Sequence, residues 1–115
     1  MSYDIRLAVK IEGADDWLTV ATPEYDSPTY NLGRMFRECM GWNFEQGKYY
    51  RVSEVIDNIT SGIDELIDHE EKYKEYNPPN GWGDTMSALR TLKSLLECIS
   101  ETSNRISIKH LWIAW

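Results

Sequence analysis

Long apolar runs are missing from this chain: nothing in its 115 residues approaches the roughly 20 consecutive apolar positions that span a bilayer. The opening Met1-Ser2-Tyr3-Asp4-Ile5-Arg6 holds no basic segment leading into an apolar one. No signal peptide and no membrane partner are therefore expected, and the expected compartment is the cytoplasm. Cysteine is scarce. Cys39 and Cys98 cannot build a disulfide framework, and both fall on apolar helix faces, where reduced and buried thiols are the rule. Histidine is as scarce. His69, in Asp68-His69-Glu70-Glu71, has only Glu65 on its own helical face, whereas a zinc-binding helix wants a second histidine at a His-Glu-x-x-His spacing. His110 stands among the apolar residues of a strand pattern and reads as a core or interface residue. No metal and no cofactor are expected.

Catalytic groupings are lacking too. No serine sits in Gly-x-Ser-x-Gly, both thiols belong to apolar faces, and neither histidine has a compelling partner in sequence. No catalytic residue is assigned and no enzyme activity is expected. Positive charge is in short supply: 12 Lys and Arg face 19 Asp and Glu, for a formal net charge of −7 and a sequence pI near 4.7. Such a chain is repelled by nucleic acid and by anionic membranes unless its few basic groups are gathered on one patch. Direct nucleic-acid binding is accordingly not expected.

What the chain does have is core material. It is 42% hydrophobic and contains five Trp and seven Tyr, enough for one packed domain spanning residues 1–115 and too much for a disordered chain. Tyr3, Ile5, Leu7, Val9 and Ile11 alternate with Asp4, Arg6, Ala8 and Lys10, the period of a half-buried strand. After the turn Gly13-Ala14-Asp15-Asp16, the run Trp17-Leu18-Thr19-Val20-Ala21-Thr22 reads as the returning strand of a hairpin, and Pro23 and Pro28 bracket a loop. Leu32, Met35, Phe36, Cys39 and Met40 then lie on one face of a short helix stopped by Gly41. Residues 42–47 read as a loop or an irregular strand.

A second helix is expected from Ser53, as N-cap, with Val55, Ile56, Ile59, Ile63, Leu66 and Ile67 on its apolar face and a weak point at Ser61-Gly62. Asn77-Pro78-Pro79-Asn80-Gly81-Trp82-Gly83 breaks the helical pattern, with Trp82 read as a lid on the helices. Asp84 or Thr85 then caps a third helix carrying Met86, Leu89, Leu92, Leu96 and Ile99. A polar link at residues 100–104 leads to a final strand over residues 105–115. The expected fold is α+β in the order β-β-α-α-α-β: a small antiparallel sheet made of the N-terminal hairpin plus the C-terminal strand, with about three helices packed on one face. The closing Leu111-Trp112-Ile113-Ala114-Trp115 is apolar on both faces. Such a strand is buried on both sides or covers a partner, so Leu111, Trp112, Ile113 and Trp115 are candidates for a homodimer or partner surface.

Two surface features carry functional weight. Asp57, Asp64, Asp68, Glu71 and Glu75 recur at spacings of 7, 4, 3 and 4, which places them on one face of a single helix. The last four stand roughly 5–6 Å apart along the axis, close enough to phosphate spacing to imitate a nucleic-acid strand. The competing explanation is an ordinary solvated face, with Lys72 four residues after Asp68 and Lys74 four after Glu70 placed for local ion pairs. The second feature is Tyr49-Tyr50-Arg51, an aromatic and cationic run able to stack a nucleobase.

The opening Tyr3-Asp4-Ile5 strand, Thr29-Tyr30-Asn31-Leu32 before the Met35 helix, and above all Asn77-Pro78-Pro79-Asn80-Gly81-Trp82-Gly83-Asp84 before a Leu-rich helix with Cys98 and Ile106-Ser107-Ile108 are shared with a known group. On these motifs the chain resembles a family of small proteins from bacteriophages and prophage regions. The resemblance implies an accessory role in a host cell and carries no catalytic residues with it. Joined to the acidic stripe, it leads to the expectation of an interaction protein that binds and inhibits a host factor. A nucleic-acid-binding defence nuclease such as a CRISPR effector is the example that fits. The alternatives are a small-molecule or nucleotide sponge, recognisable by a pocket rich in Trp, Tyr and Arg, and a phage accessory protein with no inhibitory role.

Overall fold

Alternation in the first residues produces a hairpin with one apolar and one mixed face. In the computed structural model, which describes residues 2–77 and 84–115, strand β1 (Arg6–Ile11) pairs antiparallel with β2 (Asp16–Ala21). Gly13, at φ 81°, takes the left-handed conformation the turn requires. Residues 2–5 continue β1 without entering the sheet. They lie along the loop that follows β2, Tyr3 N–H donating to Pro28 O and Ile5 N–H to Asp26 O, both at 2.8 Å.

Thr29 caps a short 3₁₀ turn that feeds α1 (Gly33–Met40), and Gly41 ends that helix in the left-handed conformation, as its position implies. A strand that no periodicity announced comes next: β3 (Tyr49–Arg51). It runs straight into α2 (Val52–Asp68), so Arg51 rather than Ser53 occupies the N-cap position and no side chain caps the helix. Helix α2 passes through Ser61 and Gly62 unbroken, because Gly62 is buried where α2 crosses its neighbours. A Cβ there would lie 2.6 Å from Met40 Cγ and 3.0 Å from Leu92 Cδ1. The break falls at His69 instead, whose backbone leaves the helical region before the short α3 (Glu70–Lys74).

Asp84 caps α4 (Thr85–Thr102), its carboxylate accepting from Ser87 N–H at 2.8 Å. The expected long final strand is much shorter. Residues 108–110 form a 3₁₀ turn, with His110 N–H donating to Ser107 O at 2.8 Å, and only Trp112–Ala114 (β4) is extended. This turn also leaves His110 exposed, outside the core or interface environment expected of it.

The sheet order is β2-β1-β4-β3, all antiparallel, which makes β4 an internal strand flanked by β1 and β3. The α+β class and the expected element order hold, with β3 added. Leu7, Ile113 and Tyr50 are register partners across three strands and face the helical layer. Leu111, Ile113 and Trp115 are buried in this chain's own core. Trp115 stacks on Phe44 at 4.8 Å between ring centroids and meets Phe36 edge-on at 5.1 Å. That placement corrects the assignment of these three to an oligomer or partner surface: the helices cover one face of β4, while Trp112, half-buried, stands on the other. Ile67 and Met86, assigned to apolar faces from their spacing, are about half exposed. Cys39 and Cys98 are free and buried, as expected. The expectation for Trp82 and its flanking glycines lies outside the described residues.

Candidate functional site

Two surfaces concentrate chemistry, one on each side of the molecule's composition. The first is the carboxylate face of α2. The apolar stripe formed by Val52, Val55, Ile59, Ile63 and Leu66 turns inward, which forces Asp57, Asp64 and Asp68 outward, and all three are exposed. Asp64 and Asp68 line a concavity of about 170 Å³ together with Ser61, Glu65 and His69. Among the described residues, Asp57, Asp64 and Asp68 take part in no ion pair. Glu71 and Glu75 are exposed too, but the turn at His69 takes them off the α2 axis, so the five carboxylates do not form one continuous row. The same turn spoils the anticipated Asp68–Lys72 spacing. Lys74 pairs with Glu71 at 2.9 Å, which raises the lysine's pKa, while Lys72 lies over the Tyr73 ring.

Behind this face the half-buried Glu65 meets a buried phenol. Tyr73, 1% exposed, donates its O–H to Glu65 Oε2 at 2.9 Å; burial and then that hydrogen bond raise the phenol's pKa. Burial also pushes the Cys39 thiol up to about 12. Neither group is a nucleophile in this state. Among the described residues no group of three or more His, Cys, Asp or Glu side chains is disposed to hold a metal ion, and no helix is long and apolar enough to cross a membrane.

The second surface is the sheet face turned away from the helices. Strand alternation places Arg6, Ala8 and Lys10 of β1 there, with Trp17 and Thr19 of β2, Trp112 and Ala114 of β4, and Tyr49 and Arg51 of β3. No carboxylate is among them, in a chain where acids outnumber bases. Trp17 and Tyr49, from opposite edges of the sheet, reach across it and stack with parallel rings 4.0 Å apart; Trp112 meets Trp17 edge-on at 5.0 Å. This layer roofs Ala8 and Ala114, which are fully buried although no helix covers them. Arg6 lies over Tyr49 and donates to its hydroxyl at 3.2 Å and to Asp4 O at 3.0 Å. Arg51 lies over Trp112, 4.5 Å from the ring centre, with one long contact from Nη1 to Lys109 O at 3.4 Å.

Sequence reasoning singled out Tyr49 and Arg51 but missed Trp17, Arg6 and Lys10 as their neighbours. The signal was the alternation that sends Trp17 opposite to Leu18 and Val20. A further cleft of about 390 Å³ opens between the loop after β2 and α4, walled by Tyr25, Asp26, Pro28, Arg90 and Thr91, with mixed charge. No family model matches the sequence, and comparisons with curated proteins and with solved structures return no match.

Proposed function

We propose that this chain is an acidic interaction protein whose α2 face docks on a basic host factor and blocks it, as a phage-encoded inhibitor of a nucleic-acid-binding defence nuclease would. The observation that carries the reading is the exposed concavity holding Asp64 and Asp68, which make no ion pair among the described residues. A Lys or Arg from a partner fits that depression, and Asp57 extends the negative field one side of it. Glu71 and Glu75 contribute from the adjoining turn at a different angle, so they act on the rate of encounter more than on the seated complex. The mode of action is occupation of a surface, and no covalent step is required.

The test is capture of a basic nuclease from host lysate by the wild-type chain and by Asp64→Lys/Asp68→Lys. Retention at low salt, lost in the double variant and weakened steadily by added salt, supports the reading. Equal retention by the variant, or an affinity constant across the salt series, rejects it.

A further inference from the structure

The aromatic layer on the open sheet face is explained in part by packing, since Ala8 and Ala114 need a roof. Packing does not explain the cations. A roof is complete with Trp17, Tyr49 and Trp112, yet this face also gathers Arg6, Lys10 and Arg51 and excludes every carboxylate from its strand positions. Their states differ. Arg6 is engaged by Tyr49 and paired with Asp4. Arg51 is exposed, lies over Trp112, and most of its planar fork has no partner among the described residues. Lys10 is exposed beside Trp17 and makes no ion pair among the described residues.

From strand spacing and rise, the backbones at Lys10 and Arg51 stand roughly 12 Å apart, one at each end of the aromatic layer. Rings between two cations that make no ion pair among the described residues suit an unpaired base flanked by phosphate. We infer that the open sheet face binds an unpaired nucleobase through its aromatic layer and the adjoining phosphates through Arg51 and Lys10. This gathering of basic groups is the condition under which a chain of net charge −7 can approach a polyanion. The inference is independent of the α2 carboxylates.

The ligand has two sources, a single strand or a free nucleotide, and the experiment separates them. Anisotropy of a labelled 12-residue oligothymidylate is read at low and moderate salt, alongside intrinsic Trp quenching by thymidine monophosphate. Binding of the oligomer alone assigns a strand; binding of both assigns the nucleotide unit. Lys10→Glu leaves the aromatic layer intact and is expected to weaken binding about tenfold. Arg51→Ala, read after circular dichroism shows it folded, is expected to do the same and to flatten the salt dependence by about one phosphate contact. Absence of binding by the folded wild-type chain to both probes overturns the inference, as does unchanged affinity in folded Lys10→Glu.

Discussion

Gly62 of α2 and Met40 of α1 touch so closely that a single added carbon at Gly62 would fall 2.6 Å from Met40 Cγ. Alanine in a helix interior is better than glycine by about 1 kcal/mol, and on propensity alone Gly62→Ala stabilises. The crossing reverses the sign. Met40 is itself buried, and Leu92 closes the other side at 3.0 Å, so the methyl overpacks the core. Gly62→Ala is expected to destabilise by about 1–3 kcal/mol in urea unfolding, and the double variant with Met40→Ala is expected to lose less than the sum of the two single losses. A neutral or stabilising result contradicts the crossing.

The internal position of β4 sets a second expectation. Ile113→Ala removes a buried side chain between Leu7 and Tyr50 and should cost about 2–5 kcal/mol. Because Ile113 faces this chain's own core, the variant's sedimentation behaviour should match that of the wild type at concentrations where both are folded. A change of association state at full stability would restore the interface role.

Asp84 offers a test with a pH axis. Its carboxylate accepts from Ser87 N–H at 2.8 Å and Ser87 Oγ at 3.0 Å, and these bonds hold its pKa below the ordinary 3.8. Asp84→Ala should therefore lose about 1 kcal/mol at neutral pH. A depressed folded pKa gives stability that is present above the unfolded value and lost as pH falls through the folded one. The gap between variant and wild type should close in acid below the ordinary carboxylate range, as measured by thermal unfolding across pH.

Alkali acts with the opposite sign. The folded chain keeps the Cys39 thiol protonated up to about 12, against an ordinary 9.0, and Tyr73 is likewise raised above 10.0. The unfolded chain releases those protons earlier, so stability should decline as pH rises above about 9. Cys39→Ala should make that decline shallower. In the native state at pH 8, iodoacetamide should leave Cys39 unmodified, and modification should follow unfolding.

Elements with a period or a cap were readable from residues alone. The hairpin, the Gly41 stop, the Asp84 cap and the buried stripes of α2 and α4 all follow from alternation, helical spacing or a single capping side chain. The three-residue strand β3 was not readable, because Tyr49-Tyr50-Arg51 is too short to show a period and gains its strand character from pairing with β4. The shortness of β4 was hidden for a related reason: Ile106 and Ile108 alternate like strand residues, yet Ser107 turns the chain through a local hydrogen bond. The break at His69 has no sequence punctuation, while Ser61-Gly62, which has it, is continuous because of the α1 crossing. The α2 carboxylates were visible by spacing. The open-face cluster was not, since Trp17, Tyr49 and Trp112 come from three strands whose order only the pairing reveals.

The place of β4 has a bearing on biosynthesis. Ribosomes deliver residues 6–11 and 49–51 well before 112–114, and at about 5–20 residues per second the middle slot of the sheet stays open for roughly 3–12 s. During that interval β1 carries one unsatisfied edge, and Leu7 lacks its register partner Ile113. The four-stranded sheet therefore closes last at its centre, once Trp112–Ala114 can pair with β1 and β3 together.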